Sequence, residues 1–170
     1  MATLDPYLAR KHAAIEQRRA DCEHEPSKAV ISLKSTSRVA GATGVRPTEL
    51  MKYTIITDAA PGLGGYGLGP TAPELLLGAL SSCLAHTYLI EAALNRIPLE
   101  SVEVEVSGVL DMTGVYGLPV EEAPQLAEIT YHANVVTPAP ADILQRLHDL
   151  VEAGCPVLNT LRSPVPVTRV

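Results

Sequence analysis

Two cysteines, Cys83 and Cys155, are the residues of this 170-residue sequence with the strongest potential for chemistry. Cys83 lies inside a long apolar stretch, where a cysteine is most often a small buried side chain. Cys155 stands between Gly154 and Pro156 at the predicted start of a helix, where free N–H groups and the helix dipole can stabilise a thiolate. Spacing along the chain does not link the two thiols. Taken alone, each is a candidate either for thiol redox chemistry or for plain packing.

Metal binding is a weaker interpretation of the same thiols. The sequence has no C-x-x-C pair, and Cys83 with His86, three residues later, supplies only two ligands. We interpret His86 as a hydrogen-bonded histidine of the core, and we expect neither a metal nor a cofactor. The third cysteine, Cys22, lies in a charged N-terminal segment and is interpreted as incidental. No nucleophile signature of a Cys–His protease is present.

The charge balance of the chain excludes one class of partner. Nineteen acidic residues outnumber 13 basic residues, which gives a net charge of −6, and no basic cluster stands against that balance. Binding to a phosphate backbone is therefore disfavoured, and no nucleic-acid partner is expected. Three cysteines are an odd number, and the N-terminus lacks a secretory signal pattern. Both features predict reduced thiols in the cytoplasm.

The stretch Leu75–Leu94 must carry Cys83 and is apolar on all sides. Its length raises the question of a membrane helix, but Glu91 inside it would be costly in hydrocarbon. We therefore predict a buried central helix, covered on every side, and no membrane partner. Thr71 and Glu74 predict a capping box at its start, and Asn95 with Pro98 predicts its end.

The remaining elements are predicted from periodicity and turn residues. A glycine-rich connection over residues 58–70 contains five glycines and two prolines and leads into the central helix. Thr137 is predicted to cap the second long helix, and residues 111–125 form a long loop. The predicted strands are Lys28–Arg38, Met51–Thr57, Val102–Val109, Ala127–Val136 and an edge strand Val165–Val170. Besides the central helix, the predicted helices cover residues 4–22, Thr137–Ala153 and a short turn from Cys155. This order of elements indicates an α+β fold.

Two segments of this sequence together resemble the OsmC/Ohr family, which comprises osmotically inducible proteins and organic hydroperoxide resistance proteins. The first is DAAPGLGGYGLGPTAPELLLGALSSCLAH, and the second is AGCPVLNTL. The matching residues are Asp58, Pro61, Gly64, Gly65, Gly69, Pro70, Pro73, Glu74, Leu75, Leu76, Cys83, Cys155, Pro156 and Val157. The resemblance, which is nearest to the OsmC-like branch, extends over roughly residues 28–169. It implies an OsmC-like domain over residues 28–170, preceded by a helical extension over residues 1–27.

The resemblance implies a fold and an assembly. In this family, strands wrap around a long buried central helix, and two chains intertwine as a homodimer. Such an arrangement would explain why Leu75–Leu94 is apolar on every side. The family's best-known activity is the thiol-dependent reduction of organic hydroperoxides by an external dithiol.

The resemblance also implies roles for four residues. Cys83 would attack the peroxide, and Cys155 would form a disulfide with it. An arginine at the end of the first strand, here Arg38 with Arg46 as the alternative, would stabilise the Cys83 thiolate. Glu74 would hold that arginine. Glu74 precedes Cys83 by nine residues, which places the two on opposite faces of an ideal helix, so Glu74 is equally well explained as a cap.

The sequence thus predicts a cysteine-based peroxidase and keeps a second hypothesis open. No Phe or Trp is available to line an apolar peroxide pocket. This absence and the spacing of Glu74 favour a non-catalytic dimeric protein that binds a small ligand. A redox sensor, which would share the thiol chemistry, is a third possibility.

Overall fold

The computed structural model describes residues 3–163 and 165–169 of the chain. Its helices are α1 (Asp5–His24), α2 (Ala72–Asn95), α3 (Ala141–Gly154) and α4 (Pro156–Arg162), and its strands are β1 (Ser35–Ser37), β2 (Arg46–Leu50), β3 (Tyr53–Thr57), β4 (Ser101–Leu110) and β5 (Leu126–Val136). Two short 3₁₀ turns, Pro26–Ala29 and Pro61–Leu63, complete the described elements. This mixture of helices and antiparallel strands confirms the predicted α+β fold class.

The chain divides into two units. Residues 21–76 form the smaller unit, in which β1, β2 and β3 make a three-stranded antiparallel sheet. Residues 1–20 and 77–170 form the larger unit, which contains the β4–β5 hairpin, α3, α4 and most of α1 and α2. The predicted boundary between an extension and a domain at residue 27 stays a prediction.

The core of the larger unit forms where α2 packs with α3 and the β4–β5 hairpin. Leu84 of α2 and Leu147 and Val151 of α3 are fully buried. The alternation predicted for β4 is present, since Val102, Val104, Val106, Ile129, Tyr131, Ala133 and Val135 pack against this core from one face of the hairpin. Burying a leucine contributes about 2 kcal/mol, so this face of α2 provides much of the unit's stability.

One face of α2 is exposed within the single chain, contrary to the predicted complete cover. Ala79, Ser82 and His86 are exposed at helical spacing, and Leu76 is 40% exposed. Among the described residues, α2 alone is long and apolar enough to cross a membrane. Its opposite face forms the core described above, so in this fold α2 is a core helix.

The start of α2 follows the predicted capping box. The Glu74 carboxylate accepts hydrogen bonds from the Thr71 backbone N–H at 2.6 Å and from the Thr71 hydroxyl at 2.8 Å. These bonds hold the pKa of Glu74 below its usual range. The capping role of Glu74 is therefore directly visible.

Asp58 organises the glycine-rich connection that precedes α2. Its fully buried carboxylate accepts backbone N–H groups from Ala59 (2.8 Å), Tyr66 (2.9 Å) and Leu68 (3.2 Å). Gly65 is required nearby, because a Cβ there would lie 1.9 Å from the Ala59 carbonyl oxygen. The connection is thus a built structure, and the Asp–Gly pattern of the sequence is explained by backbone hydrogen bonds.

The N-terminal part of the smaller unit differs from the sequence prediction. The predicted strand Lys28–Arg38 is reduced to the three residues of β1, and Val30, Ile31 and Leu33 are each more than 70% exposed. These apolar residues have no described neighbouring strand, and a strand needs such a partner. Conversely, β2 was missed because a proline at position 47 argues against a strand.

Two smaller predictions near the C-terminus were wrong. Thr137 does not cap α3, which begins after Pro140, because the Thr137 hydroxyl instead donates to the Pro98 carbonyl oxygen at 2.6 Å. Residues 165–169 of the predicted edge strand Val165–Val170 have no strand structure. Val170 itself lies outside the described residues.

Candidate active site

Cys83 lies in the middle of α2, on the side that faces the C-terminal helices. Its side chain is half-buried and packs against the core. One turn later, the Thr87 hydroxyl donates to the Cys83 carbonyl oxygen at 2.8 Å. The thiol is thus placed on a rigid helix, between the exposed face of α2 and the core.

Cys155 occupies the junction between α3 and α4 and is fully buried. Its N–H donates to the Val151 carbonyl oxygen at 3.0 Å, which ends α3, and its own carbonyl oxygen accepts the Asn159 N–H at 3.0 Å, which begins α4. Pro156 fits the first position of α4, because a backbone N–H there has no helical partner. This arrangement confirms the predicted helical turn after Cys155.

The structure brings the two cysteines together although they are 72 positions apart. Cys155 lies close enough to Cys83 to affect the pKa of its thiol, and both are free thiols. The backbone N–H of Val157, in the first turn of α4, is also near enough to lower the pKa of the Cys83 thiol. The fold therefore places the two thiols near each other within one chain, as a disulfide between them would require.

The surroundings of Cys83 favour its protonated form. Burial raises the pKa of the Cys83 thiol, and Cys155 raises it further, whereas the Val157 N–H and Thr87 act in the opposite direction. None of these described groups is cationic. A thiolate at neutral pH thus requires a cation in addition to these neighbours.

His86 does not join Cys83 in a metal site. Its Nε2 lies 2.7 Å from the Lys11 Nζ of α1, and both burial and the Lys11 charge lower the pKa of His86. The imidazole is exposed, so the interpretation of His86 as a core histidine was wrong. Among the described residues, no cluster of three or more His, Cys, Asp or Glu side chains is arranged to hold a metal ion.

A family model for OsmC-like proteins matches residues 64–169, which is more than half of the chain. This chain belongs to the OsmC-like family. The match includes both Cys83 and Cys155 and the three helices α2, α3 and α4. No functionally curated protein sequence matches the chain.

Solved structures support the same OsmC-like fold. The OsmC-like protein of Mycoplasma pneumoniae is 22% identical, with a TM-score of 0.67, and the match covers 79% of this chain and 89% of that one. The organic hydroperoxide resistance protein OsmC of Legionella pneumophila is 18% identical, with a TM-score of 0.61 over 79% and 91% of the two chains. An organic hydroperoxide resistance protein of Vibrio cholerae, solved with captopril in one of its active sites, is 18% identical, with a TM-score of 0.60 over 79% and 87%.

The other two residues with expected OsmC-like roles lie in the smaller unit. The Arg38 guanidinium is paired with the Glu49 carboxylate of β2, and both side chains are largely exposed. The Glu74 carboxylate accepts the hydrogen bond from the Thr71 N–H at the start of α2. Arg46, the alternative to Arg38, donates to the Gly44 carbonyl oxygen at 2.6 Å. A role for any of them beside Cys83 stays a prediction.

Sequence reasoning missed a polar network within the OsmC-like larger unit. The Tyr131 hydroxyl of β5 donates to the Glu152 carboxylate at 2.6 Å, and Arg162 of α4 donates to the same carboxylate at 3.0 Å. This network ties α3 and α4 to the hairpin on both sides of Cys155. Glu152 is the residue after Val151, which lies on the apolar face of α3. No sequence pattern identifies Tyr131 and Arg162 as the hydrogen-bond donors to Glu152.

A second missed pair lies beside that network. The Tyr88 hydroxyl and the His148 Nδ1 are 2.5 Å apart, and their rings meet edge to face. Burial, with the nearby Glu152 charge, raises the pKa of Tyr88 to about 12. Tyr88 therefore stays protonated and links α2 to α3 directly after Thr87.

Proposed function

We propose that this protein is a thiol-dependent peroxidase that reduces organic hydroperoxides. The proximity of two free thiols, Cys83 and Cys155, near the junction of α3 and α4 carries the proposal. The names of the Legionella and Vibrio structures, both organic hydroperoxide resistance proteins, support the substrate class.

Burial supports different roles for the two cysteines. Cys83 is half-buried, so a substrate can reach its sulfur, whereas Cys155 is fully buried. Cys83 therefore attacks the substrate and Cys155 resolves the product. The reverse assignment would require a peroxide to enter the core of the larger unit.

The proposed cycle balances as two reactions and a reduction. The Cys83 thiolate attacks one oxygen of ROOH, the O–O bond breaks, and the leaving alkoxide takes a proton to become ROH. Cys83 becomes a sulfenic acid. The Cys155 thiol then forms the Cys83–Cys155 disulfide and water is released. An external dithiol reduces this disulfide and is itself oxidised to a disulfide.

The proposal assigns thiolate stabilisation to Arg38, with Arg46 as the alternative and Glu74 as the residue that orients the arginine. A cation is needed because burial raises the pKa of Cys83. Arg38 is paired with Glu49 in an exposed ion pair, and such pairs contribute little stability. Breaking this pair so that Arg38 can approach the thiolate therefore costs little free energy.

The proposal includes a cytoplasmic homodimer. The exposed face of α2, with Leu76 40% exposed, and the exposed apolar residues Val30, Ile31 and Leu33 support a partner of the same kind. Free cysteines support a reducing compartment, where a disulfide is transient.

The test separates the two thiols by their chemical products. Cys83→Ser is expected to reduce cumene hydroperoxide consumption to the uncatalysed background. Cys155→Ser is expected to complete one turnover and to accumulate a Cys83 sulfenic acid, detected by dimedone labelling and mass spectrometry. Native protein treated with one equivalent of peroxide should contain a Cys83–Cys155 crosslink within one chain.

Cys22 supplies the matched control for this test. It is also a half-buried free cysteine, and Cys22→Ser should consume peroxide at the native rate. Equal turnover in native protein and in the Cys83 and Cys155 variants would refute the peroxidase assignment.

A non-catalytic small-ligand-binding protein is the second candidate function. The observation that favours it is the raised pKa of Cys83 without a cation among the described groups that affect it. Alkylation kinetics distinguish the two functions. If iodoacetamide reacts with Cys83 no faster than with a free model thiol at pH 7, the binding function is favoured. The same result would exclude a redox sensor, which needs a reactive thiol as the peroxidase does.

A further inference from the structure

A cavity of about 380 Å³ lies at the opposite end of α2 from its cap, between the first turns of α1 and the residues that follow α2. Leu8, Ala92, Ala93 and Ile97 give it an apolar floor. It begins nine residues after Cys83, which is about 13 Å along the helix axis. The cavity is thus separate from the cysteine pair, and its volume suits a small molecule.

Two opposite charges border this apolar floor. Asp5, in the first turn of α1, and Arg96, just after α2, both line the cavity. Neither forms an ion pair with the other or with any other residue that the structure describes. The cavity therefore presents a carboxylate and a guanidinium that are both available to a ligand.

His12 adds a hydrogen-bond acceptor to the same cavity. Its Nδ1 donates to the Ala93 carbonyl oxygen at 3.0 Å, because a carbonyl oxygen can only accept. In the neutral ring the proton on Nδ1 leaves Nε2 as an acceptor. No residue in the described part of the chain hydrogen-bonds to this Nε2.

The backbone at Arg96 has a conformation that glycine adopts more easily than arginine. The Ile97 N–H donates to the Ala92 carbonyl oxygen at 2.9 Å. The Arg96 N–H donates to the Ala93 carbonyl oxygen at 3.4 Å. Together these two bonds form the hydrogen-bond pattern of a Schellman motif at the end of α2. Arg96 occupies its left-handed position, with a φ of 55°, where glycine is strongly preferred. An arginine is strained there, and such strain concentrates at ligand-binding residues.

We propose that this cavity binds a small zwitterion with an aliphatic body, of which an aliphatic α-amino acid is the simplest example. The Arg96 guanidinium binds the ligand carboxylate through paired N–H donors. The Asp5 carboxylate and the His12 Nε2 bind the ammonium group. The aliphatic side chain lies on Leu8 and Ile97.

The charges on the cavity argue against simpler ligands. An anion alone would bind Arg96 but would meet the unpaired Asp5 carboxylate. A cation alone would meet the Arg96 guanidinium. Only a molecule that carries both charges satisfies both residues, and the apolar floor requires a hydrocarbon portion as well.

The test compares three probes with the same hydrocarbon portion by calorimetric titration of the full chain. L-leucine carries both charged groups, 4-methylpentanoate lacks the ammonium, and 3-methylbutylamine lacks the carboxylate. Leucine is expected to bind, and each of the other two at least about tenfold more weakly, as expected for the loss of a charged hydrogen-bonding group. No binding of leucine at millimolar concentration, or equal binding of all three probes, would overturn the proposal.

Arg96→Gly distinguishes ligand binding from a structural role. Glycine suits the left-handed position, so the melting temperature of this variant should equal or exceed that of the native chain, while leucine binding is lost. Arg96→Lys, which keeps the charge, should retain part of the affinity. Arg146→Ala, an exposed site on α3, should bind leucine as the native chain does.

The outcome is independent of the proposed peroxidase activity. Cys83→Ser should bind leucine with native affinity, since Cys83 does not line the cavity. Native leucine affinity in Arg96→Gly would refute the assignment of the carboxylate to Arg96.

Discussion

At the scale of single residues, the difference in burial between two neighbouring thiols governs the proposed chemistry. Cys155 is fully buried and Cys83 is half-buried, so only one of them can meet a substrate. The same burial raises the pKa of Cys83 above its usual value of 9.0. Reactivity at neutral pH therefore depends on a charge that the immediate neighbours do not supply.

A pH profile tests which arginine supplies that charge. If Arg38 stabilises the thiolate, Arg38→Met should shift the pH midpoint of Cys83 alkylation upward by about one unit or more and slow peroxide consumption at pH 7 by about tenfold. The shift is expected to be upward because loss of a cation disfavours the thiolate, which then forms only at a higher pH. The measurement is the rate of iodoacetamide modification of Cys83 between pH 5 and about pH 10.

Arg46→Met is the matched control. It removes the same charge from the alternative position and should leave the Cys83 profile unchanged. A shift in the Arg46 variant with none in the Arg38 variant would transfer the role to Arg46.

At the scale of elements, the connection before α2 depends on one buried carboxylate. Burial alone would raise the pKa of Asp58, but N–H donors from Leu68, Ala59 and Tyr66, with the charge of Arg46, hold it below its usual value of 3.8. The folded state therefore binds fewer protons at Asp58 than the unfolded state does near this pH. The resulting stabilisation is complete above pH 3.8 and is lost as pH falls below it.

Asp58→Asn tests this element. The amide replaces one acceptor oxygen by an N–H donor that faces backbone N–H groups, so the melting temperature at pH 7 should fall by several degrees. The difference from the native chain should shrink as pH falls below about 3.8, because the unfolded native chain then takes up a proton at Asp58 more readily than the folded chain does.

Asp111→Asn serves as the comparison for this experiment. Among the described residues, Thr113 alone donates hydrogen bonds to the exposed Asp111 carboxylate, so its replacement should have a much smaller effect at pH 7. Equal effects of the two substitutions would show that Asp58 is not a special support of the loop.

At the scale of the whole molecule, the open question is what covers the exposed face of α2. Ala79, Ser82 and His86 share this face of a helix that is otherwise apolar. A second copy of the chain is the partner that the family resemblance implies.

Light scattering with size-exclusion chromatography tests the dimer. The native chain should have about twice the 18.0 kDa mass of one chain. Ala79→Glu places a charge in the proposed interface and should shift the mass toward that of a monomer, because a buried unpaired charge costs several kcal/mol. Ala13→Glu, on an exposed part of α1, should remain dimeric. A native mass of 18.0 kDa would contradict the dimer.

The sequence by itself determined the elements whose signals are local. The alternation of Val102, Val104 and Val106 specified β4, and the capping residues Thr71 and Glu74 specified the start of α2. Local signals failed where pairing decides the structure. The apolar run that includes Val30 was assigned to a strand although it has no described neighbour, and β2 was missed although it pairs on both sides.

Only the tertiary structure decided the candidate site. Cys83 and Cys155 are each compatible with simple packing when considered alone, and nothing in their spacing brings them together. They lie near each other because α2 and α3 pack around one core, with Tyr88 and His148 joined across the two helices. The hydrogen bonds of Glu152 likewise join parts of the chain that are distant in sequence. Such contacts depend on how elements pack, and residue periodicity carries no information about that packing.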